Sequence, residues 1–343
     1  MDLFHHVSQL KGLISIRLTM ASAYGTLFRA PSRCFAKLTS LRHLVLEAPL
    51  LRVVSVSPAP EAAVVKLDSL KITTKPHQHI RILENIHFNG LRKLVLEFTR
   101  TTSASSLYPT IKSYLKKCSE LESCSIAFIP GTPEEDNAGR SVKSKRTLGK
   151  QTHADTIAVM QRTTNLKQVI MLNVPPLLRD STAYVLRCAL PCWPQLTTLV
   201  FNVHEEPISS NTESEEVLYG PSGLYFLGAT IWKSCARLEE LEFHFDEAEI
   251  AKEKLLDSEV FGHGGCPSSG DDHPLRILTI NTTSSRLDLD LRRKIEIATF
   301  LDRLFPRLDR LQGSASGVWE EVEMLIGSYQ AVKEHVYARI EAL

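Results

Sequence analysis

No stretch of the chain contains eighteen consecutive apolar residues, which argues against a membrane-spanning helix. Residues 1–18 contain neither a long apolar run nor a small-residue cleavage site, so no secretory signal peptide is predicted. Neither sign of charge dominates, because 40 Lys and Arg residues face 39 Asp and Glu residues and leave a formal net charge of +1. The balance of charge therefore indicates neither nucleic acid nor an acidic partner.

Cysteine pairs and cofactor motifs are also missing. The seven cysteines are odd in number, are scattered along the chain and form no CxxC pair. Such usage is typical of buried thiols in a reducing compartment, so we expect a cytoplasmic or nuclear protein. No GxxxxGKS or GxxxxGKT motif is present and no GxGxxG follows a predicted strand, so we expect no bound nucleotide or other cofactor.

Leucine is abundant, at 47 of 343 residues, and it recurs in a pattern. The phrase LRHLVLE (41–47) returns as LRKLVLE (91–97), with Lys93 in place of His43. The looser pattern L-x-x-L-x, followed by Ile, Leu, Val or Phe, begins at Leu41, Leu67, Leu91, Leu196, Leu238 and Leu275. Degenerate copies are predicted to begin at Leu10, Leu121, Leu166 and Leu308. From Leu41 onward these starts lie 24 to 45 residues apart, which indicates a repeat of irregular length.

Each copy predicts a short strand. In LRHLVLE, Leu44 and Leu46 point to one side of the strand, whereas His43, Val45 and Glu47 point to the other. The same alternation predicts the inward pairs Leu70 and Ile72, Leu94 and Leu96, Leu199 and Phe201, Leu241 and Phe243, and Leu278 and Ile280. One strand cannot cover its own apolar edge, so the copies are expected to stack on one another.

Apolar residues at helical spacing fill the intervals between the predicted strands. Helices are predicted over residues 76–88, 106–123 and 291–305, and around the apolar positions of 184–188 and 224–235. Strands that alternate with helices predict a parallel sheet with the helices on its outer side. Residues 316–343 have mostly helical spacing and are predicted to form a helix that covers the open apolar end of the array.

The segments LTSLRHLVLE, GLRKLVLEF, WPQLTTLVF, CARLEELEF and HPLRILTI resemble leucine-rich-repeat proteins of the irregular kind found behind F-box motifs in fungal ubiquitin-ligase adaptors. The closing segment FPRLDRLQGSASGVWEEVEMLI resembles the C-terminal endings of such families. The resemblance implies an α/β leucine-rich-repeat solenoid over residues 1–312, with parallel strands on the concave face and helices on the convex face. A C-terminal capping helix over residues 313–343 would complete it.

The function that this resemblance implies is protein–protein interaction, with substrate recognition in a cullin-type ubiquitin-ligase adaptor as the favoured role. Residues 1–40 contain no Leu-Pro pair of the F-box type, so either the chain belongs to a class without that motif or its gene model begins late. The expected partner is a protein, joined by a ligase linker protein if an F-box lies upstream, and a monomer is expected outside the complex. The alternative is a stand-alone scaffold without a ligase.

Three polar segments interrupt the pattern and are predicted to be mobile insertions at one edge of the solenoid: residues 130–152, 205–220 and 257–274. The first insertion carries Lys143, Lys145, Arg146 and Lys150. This basic cluster is either a nuclear-import or phosphate-contacting patch, or simply part of a solvated loop.

The sequence GHGGC (262–266) suggests a remote alternative, a hydrolase with Cys266 as nucleophile and His263 or His273 as base. No strand-to-helix elbow and no third group that would orient the histidine is recognisable, so a flexible loop is the favoured interpretation and no enzyme is predicted. Two sets of residues contain possible metal ligands: His77, His79 and His87, and His263, Cys266 and His273. Their spacings match no standard zinc site, so no metal is expected.

Outward positions of the predicted strands supply the candidate partner-binding residues: His43, Glu47, Lys71, Lys93, Glu97, Asn202, Glu240, Glu242, His244 and Asp246. In LEELEFHFDEAE (238–249) they stand among further acidic residues, so a basic peptide is the complement that this ridge favours. The alternative is that a sheet face in contact with water is simply polar.

Overall fold

The structure, a computed structural model, describes residues 6–7, 9–19, 37–48, 63–74, 86–99, 104–129, 157–174, 176–203, 224, 226–245, 250–251, 255, 273–282 and 287–341. The chain divides into two compact units, residues 1–178 and 179–343. Within the described ranges, no helix combines the length and the apolar character needed to cross a membrane.

The described residues of the first unit form eight strands and one long helix. Their bounds are β1 Ser15–Thr19, β2 His43–Ala48, β3 Ala63–Lys66, β4 Ser69–Thr74, β5 Ile86–Asn89, β6 Lys93–Thr99, α1 Ala104–Leu115, β7 Ser123–Ile129 and β8 Gln168–Val174. Six strands pair in the order β1-β2-β4-β6-β7-β8, and β3 pairs separately with β5. Each of these pairings is parallel.

The second unit alternates strands with helices, and the boundary between the units falls in the first turn of its first helix. Its elements are α2 Pro176–Ala189, a 3-10 turn Leu190–Cys192, β9 Thr198–Val203, a π-helix Leu227–Trp232, β10 Glu240–His244, β11 Ile277–Asn281, α3 Leu291–Leu304, β12 Arg310–Gly313 and α4 Ser316–Glu341. The strand order is β9-β10-β11-β12, and the pairings are parallel. The expected α/β class is therefore confirmed.

Eight of the described strands begin with the same pair of backbone hydrogen bonds. The amides of Arg42 and His43 both donate to the carbonyl oxygen of Ile14, at 2.8 and 3.1 Å. The paired amides at the starts of β4, β6, β7 and β8 donate in the same way to Arg42, Asp68, Arg92 and Glu122, and those of β10, β11 and β12 donate to Thr197, Glu239 and Arg276. The repeat in sequence is thus a repeat in hydrogen bonding, which fixes the register of each strand.

The leucines that open the repeats are buried at Leu41, Leu67, Leu91, Leu121, Leu166, Leu196, Leu238, Leu275 and Leu308. The expected start at Leu10 is wrong, because this side chain is 53% exposed. Ser15 pairs with His43, so the counterpart of Leu41 is Leu13. The first copy therefore reads LISIRL, three residues later than the pattern indicated.

The inward alternation expected for the strands is confirmed. All six inward pairs, from Leu44 and Leu46 to Leu278 and Ile280, are at most 1% exposed. In the second unit Phe243 packs against three further rings, with centroids 5.2 Å from Phe201, 5.0 Å from Phe226 and 5.7 Å from Phe245. Full burial of each such side chain contributes roughly 1.5–3 kcal/mol, so the core follows directly from the repeat.

Two helix predictions differ from the structure. The helix expected over residues 76–88 is wrong at its end, because Ile86–Asn89 is strand β5 paired with the valine-rich β3. Backbone groups of β5 form hydrogen bonds with the parallel strand β3. The β-branched and aromatic residues of the two strands also favour an extended conformation. The helix expected over 106–123 ends at Leu115. It buries Ile111, Tyr114 and Leu115 as predicted, and Cys118 is buried just beyond its end.

The predicted C-terminal helix exists as α4 and packs against β12 and α3. Its first half buries Trp319, Val322 and Ile326. After Gln330, whose amide donates to the carbonyls of Pro306 and Leu308, the helix is exposed over residues 331–340. The apolar stripe that the sequence shows therefore covers the core along half of the helix only.

Candidate binding surface on the strand faces

The strand face of the first unit that lies opposite the buried leucines carries three rows of side chains. Strand register defines the entry row as Ser15, His43, Ser69, Lys93, Ser123 and Gln168. The middle row is Arg17, Val45, Lys71, Val95, Ser125 and Ile170, and the exit row is Thr19, Glu47, Thr73, Glu97, Ala127 and Leu172. Neighbouring strands lie about 4.8 Å apart, so each row extends over roughly 24 Å.

Glu97 is held by two side chains of the preceding strand. The Nζ of Lys71 lies 2.6 Å from Glu97 Oε1, and the hydroxyl of Thr73 donates to Oε2 at 2.5 Å. The side chains of Lys71 and Glu97 are 31% and 20% exposed, so solvent screens this pair only in part. Two predicted partner-binding residues therefore bind each other.

Glu47 on β2 is held in the same way, by a cation and a threonine of strand β1. The hydroxyl of Thr19 donates to its Oε2 at 2.8 Å, and Arg17 Nε lies 3.4 Å from its Oε1. Strands β1 (SIRLT) and β2 (HLVLE) thus form the same kind of pair as strands β4 (SLKIT) and β6 (KLVLE). The repeated phrase is one half of a two-strand unit in which a cation and a threonine hold a glutamate.

Arg17 and Thr19 were missed from the sequence because the first copy was expected three residues too early. The likeness of SIRLT to SLKIT is the signal that would have found them. The two residues that distinguish the phrases, His43 and Lys93, both lie exposed in the entry row.

Charges alternate along the edge where the strands begin. The residues are Arg42, Asp68, Arg92, Glu122 and Lys167. Glu122 lies 2.8 Å from Lys167 Nζ and 3.8 Å from Arg92 Nε. The hydrogen bond from Lys167 lowers the pKa of Glu122, with the charges of Lys167 and Arg92 acting in the same direction. Exchanging two neighbouring inner strands would bring like charges together, so the charges of this edge support the native strand order.

In the second unit, Glu242 is the centre of a polar cluster. The side-chain amides of Asn202 on β9 and Asn281 on β11 both donate to its Oε1, at 2.7 and 2.9 Å. Glu240 is half-buried beside Thr198 and Ile277, and His244 is 8% exposed. Asp246, the remaining predicted residue, lies outside the described residues, so the acidic ridge is described only in part.

His273 is a structural residue of the second unit. Its Nε2 lies 3.0 Å from the carbonyl oxygen of Cys235, and its Nδ1 accepts from the amide of Leu275 at 3.2 Å. Burial lowers its pKa to about 4, against the opposite effect of the Cys235 carbonyl. Both ring nitrogens of His273 are thus engaged by backbone groups, and the bond to Cys235 connects two repeats.

The other members of the hydrolase and metal alternatives lie mostly outside the described residues: His77, His79, His263 and Cys266. The basic cluster at Lys143, Lys145, Arg146 and Lys150 and the insertions 130–152 and 205–220 lie outside them as well, as does 257–274 except for its last two residues. Within the described part of the chain, no group of three or more His, Cys, Asp or Glu side chains is placed to hold a metal ion.

No family model matches the chain, and no curated protein matches it.

Proposed function

We propose that the protein is a leucine-rich-repeat solenoid that binds another protein through the outward side chains of its strands. The observation that carries this proposal is the set of three rows in the first unit, in which six parallel strands hold side chains in register over roughly 24 Å. The backbone of each inner strand bonds to its two neighbours, so a partner would meet side chains and not open strand edges.

The internal pairs support this function. Arg17, Thr19, Lys71 and Thr73 restrict the rotamers of Glu47 and Glu97 before any partner arrives. A surface whose side chains are already ordered loses less conformational entropy on binding. The exit row therefore serves as a rigid border for the exposed residues beside it.

Substrate recognition in a cullin-type ubiquitin ligase is the role we favour, and its support is the resemblance to F-box leucine-rich-repeat proteins. A pull-down with the ligase linker protein is expected to recover the full-length gene product. Absence of binding, together with the absence of an F-box in the genomic sequence upstream of Met1, would leave the stand-alone scaffold as the function.

The binding surface itself is tested with one face variant and one matched control. Ser125→Arg places a long cation in the middle row between Val95 and Ile170, whereas Ser119→Arg makes the same change in the exposed turn before β7. Cross-linking mass spectrometry in the source cells is expected to recover a partner with the wild type and with Ser119→Arg, and at least tenfold less with Ser125→Arg. Equal recovery with all three proteins, each shown by circular dichroism to be folded, would refute binding through this face.

A further inference from the structure

The outward face of the first unit is chemically divided once its internal pairs are made. Both of its carboxylates, Glu47 and Glu97, lie in the exit row and are engaged by cations and hydroxyls. The entry row holds three serines, His43, Lys93 and Gln168, and thus no carboxylate. The negative charge of the face is therefore confined to one border.

Lys93 is the prominent cation of the entry row. It is exposed, and the register places it between Ser69 on β4 and Ser123 on β7. No ion pair joins Lys93 to another described residue. The strand-start edge beside this row adds three cations against two carboxylates, namely Arg42, Arg92 and Lys167 against Asp68 and Glu122. The hydroxyl of Ser123 already donates to the Oε1 of Gln168 at 2.9 Å. An anion that approaches Lys93 therefore meets the hydroxyl of Ser69 on one side and a positive balance behind it.

The same face becomes apolar on the next two strands. Strands β7 and β8 present Ala127, Ile129, Ile170 and Leu172 outward, and Leu172 is 36% exposed. Val95 on β6 continues this patch towards Lys93. A partner that covers the face therefore has to bury aliphatic surface on β7 and β8 while it satisfies a cation on β6.

We propose that this face binds an extended protein segment in which an Asp or Glu carboxylate lies three or four residues from an aliphatic side chain. The inference rests on the proposed function and specifies its partner. Lys93 and Ser69 donate to the carboxylate, and Ile170 and Leu172 receive the aliphatic group. Two strand spacings and two residues along β8 separate Lys93 from Ile170 by about 12 Å, which three or four extended residues span.

The test is selection of a displayed library of random dodecapeptides on the full-length chain, followed by fluorescence anisotropy of the recovered peptides. Lys93→Glu is the test variant. Lys116→Glu is its control, because Lys116 is an exposed lysine just after α1. We expect the selected peptides to be enriched in Asp or Glu three or four residues from Ile, Leu or Val. They should bind Lys93→Glu at least tenfold more weakly and Lys116→Glu as tightly as wild type, and exchanging the peptide acid for Lys should restore binding to Lys93→Glu.

Three outcomes would overturn the inference: recovery of no binder, recovery of peptides without acidic enrichment, or equal affinity for wild type and Lys93→Glu. A phosphoserine peptide that binds much more tightly than its aspartate counterpart would replace the carboxylate by a phosphate and would also overturn it. The proposed function fails separately. If a cellular partner is lost with Ser125→Arg but retained with Lys93→Glu, binding through the face stands and only the acidic partner falls.

Discussion

Gly313, the last residue of β12, shows at the scale of one residue how packing restricts the sequence. A Cβ at this position would collide with the carbonyl oxygen of Ile280 and with the indole of Trp319. The main chain on one side and a buried ring on the other leave little room to adjust. Trp319 covers the last strand of the second unit only because Gly313 has no side chain.

We predict that Gly313→Ala lowers the free energy of unfolding by about 2 kcal/mol, because overpacking of this kind is not relieved by side-chain rotation. Gly327→Ala is the matched control, since a Cβ there meets nothing within 4 Å and the position is inside α4. Replacement of a helical glycine by alanine should raise stability by about 0.5–1 kcal/mol. Urea denaturation followed by circular dichroism measures both changes, and equal midpoints for the two variants would contradict the packing argument.

His273 predicts a pH dependence of stability. Its pKa is about 4 in the folded protein and about 6.5 in an unfolded chain. Between these values the unfolded chain binds a proton that the folded protein does not, so stability falls as the pH falls from about 6.5 to about 4. The full difference corresponds to about 3 kcal/mol.

In His273→Gln this part of the pH dependence should disappear, whatever the variant's stability at neutral pH. His335→Gln is the control, because His335 is exposed on α4 and its replacement should leave the wild-type profile intact. Urea midpoints measured from pH 4 to pH 8 give the comparison. A wild-type slope that persists in His273→Gln would show that other groups cause it.

Asn173 illustrates a local feature that strand alternation does not reveal. It has a φ of +54° near the end of β8, and both Leu172 and Asn173 face outward before Val174 turns inward. Strict alternation predicts the opposite phase for Val174. Asparagine is among the few non-glycine residues that adopt this conformation readily. The sequence is therefore compatible with the irregularity but does not predict it.

At the scale of elements, α3 shows a helix start that can be read from its residues. The Oδ1 of Asp290 accepts from the amide of Arg293 at 2.7 Å and so satisfies one of the unpaired donors of the first turn. The side chain of Arg293 in turn donates from Nε and Nη2 to the carbonyl oxygen of Ile250 at 2.9 and 2.6 Å. The cap of α3 therefore also positions Arg293, whose side chain binds the segment that contains Ile250.

Asp290→Ala is expected to reduce stability by about 1 kcal/mol through loss of this cap. Asp288→Ala removes an exposed carboxylate two residues earlier and should change stability by less than about 0.5 kcal/mol. Hydrogen exchange of the α3 amides gives the local measurement, with faster exchange in the first variant only. Unchanged exchange in Asp290→Ala would mean that tertiary packing holds the helix start without its cap.

The elements differ in how far sequence alone could place them. Strands β2, β4, β6, β9, β10 and β11 follow from the leucine pattern, because each inward residue gains the same burial in every copy. Helix α3 follows from its apolar spacing, although Ile295 is 40% exposed. The predicted helix over residues 76–88 includes the first three residues of β5, because an apolar spacing of three or four residues does not show that β3 lies beside them.

At the scale of the whole molecule, the cysteines report on folding. Cys118, Cys124 and Cys235 are buried, whereas Cys188 and Cys192 are half-buried. Burial raises the pKa of Cys118, Cys124 and Cys235 to about 12 in each case. Because the thiolate is the reactive form, these three side chains are protected both by limited access and by their protonation.

We predict that N-ethylmaleimide at pH 8 labels Cys188 and Cys192 much faster than Cys118, Cys124 and Cys235. In urea above the unfolding midpoint all five should react at similar rates. Peptide mass mapping after timed labelling measures each site. Equal rates for Cys118 and Cys188 in the folded protein would show that the first unit opens frequently under native conditions.

The candidate surface was only partly readable from the sequence. Alternation placed His43, Lys71, Lys93 and Glu97 on the outward face, but it treated them as equivalent. Strand register decides that Lys71 pairs with Glu97 while Lys93 is exposed between two serines. Such neighbours lie 24 to 30 residues apart in sequence, and no local pattern specifies which strand comes next to which.

The sequence by itself determined the repeat, the buried leucines and the parallel strands, because burial of apolar side chains depends on their spacing along the chain. Tertiary structure decided the rest. It set which residues form β1, which side chains bind Glu47 and Glu97, which backbone groups bind His273, and that the second half of α4 is exposed. These depend on contacts between distant segments. His43 and Lys93, which first distinguished the two copies of one phrase, lie in the entry row because the strands on either side place them there.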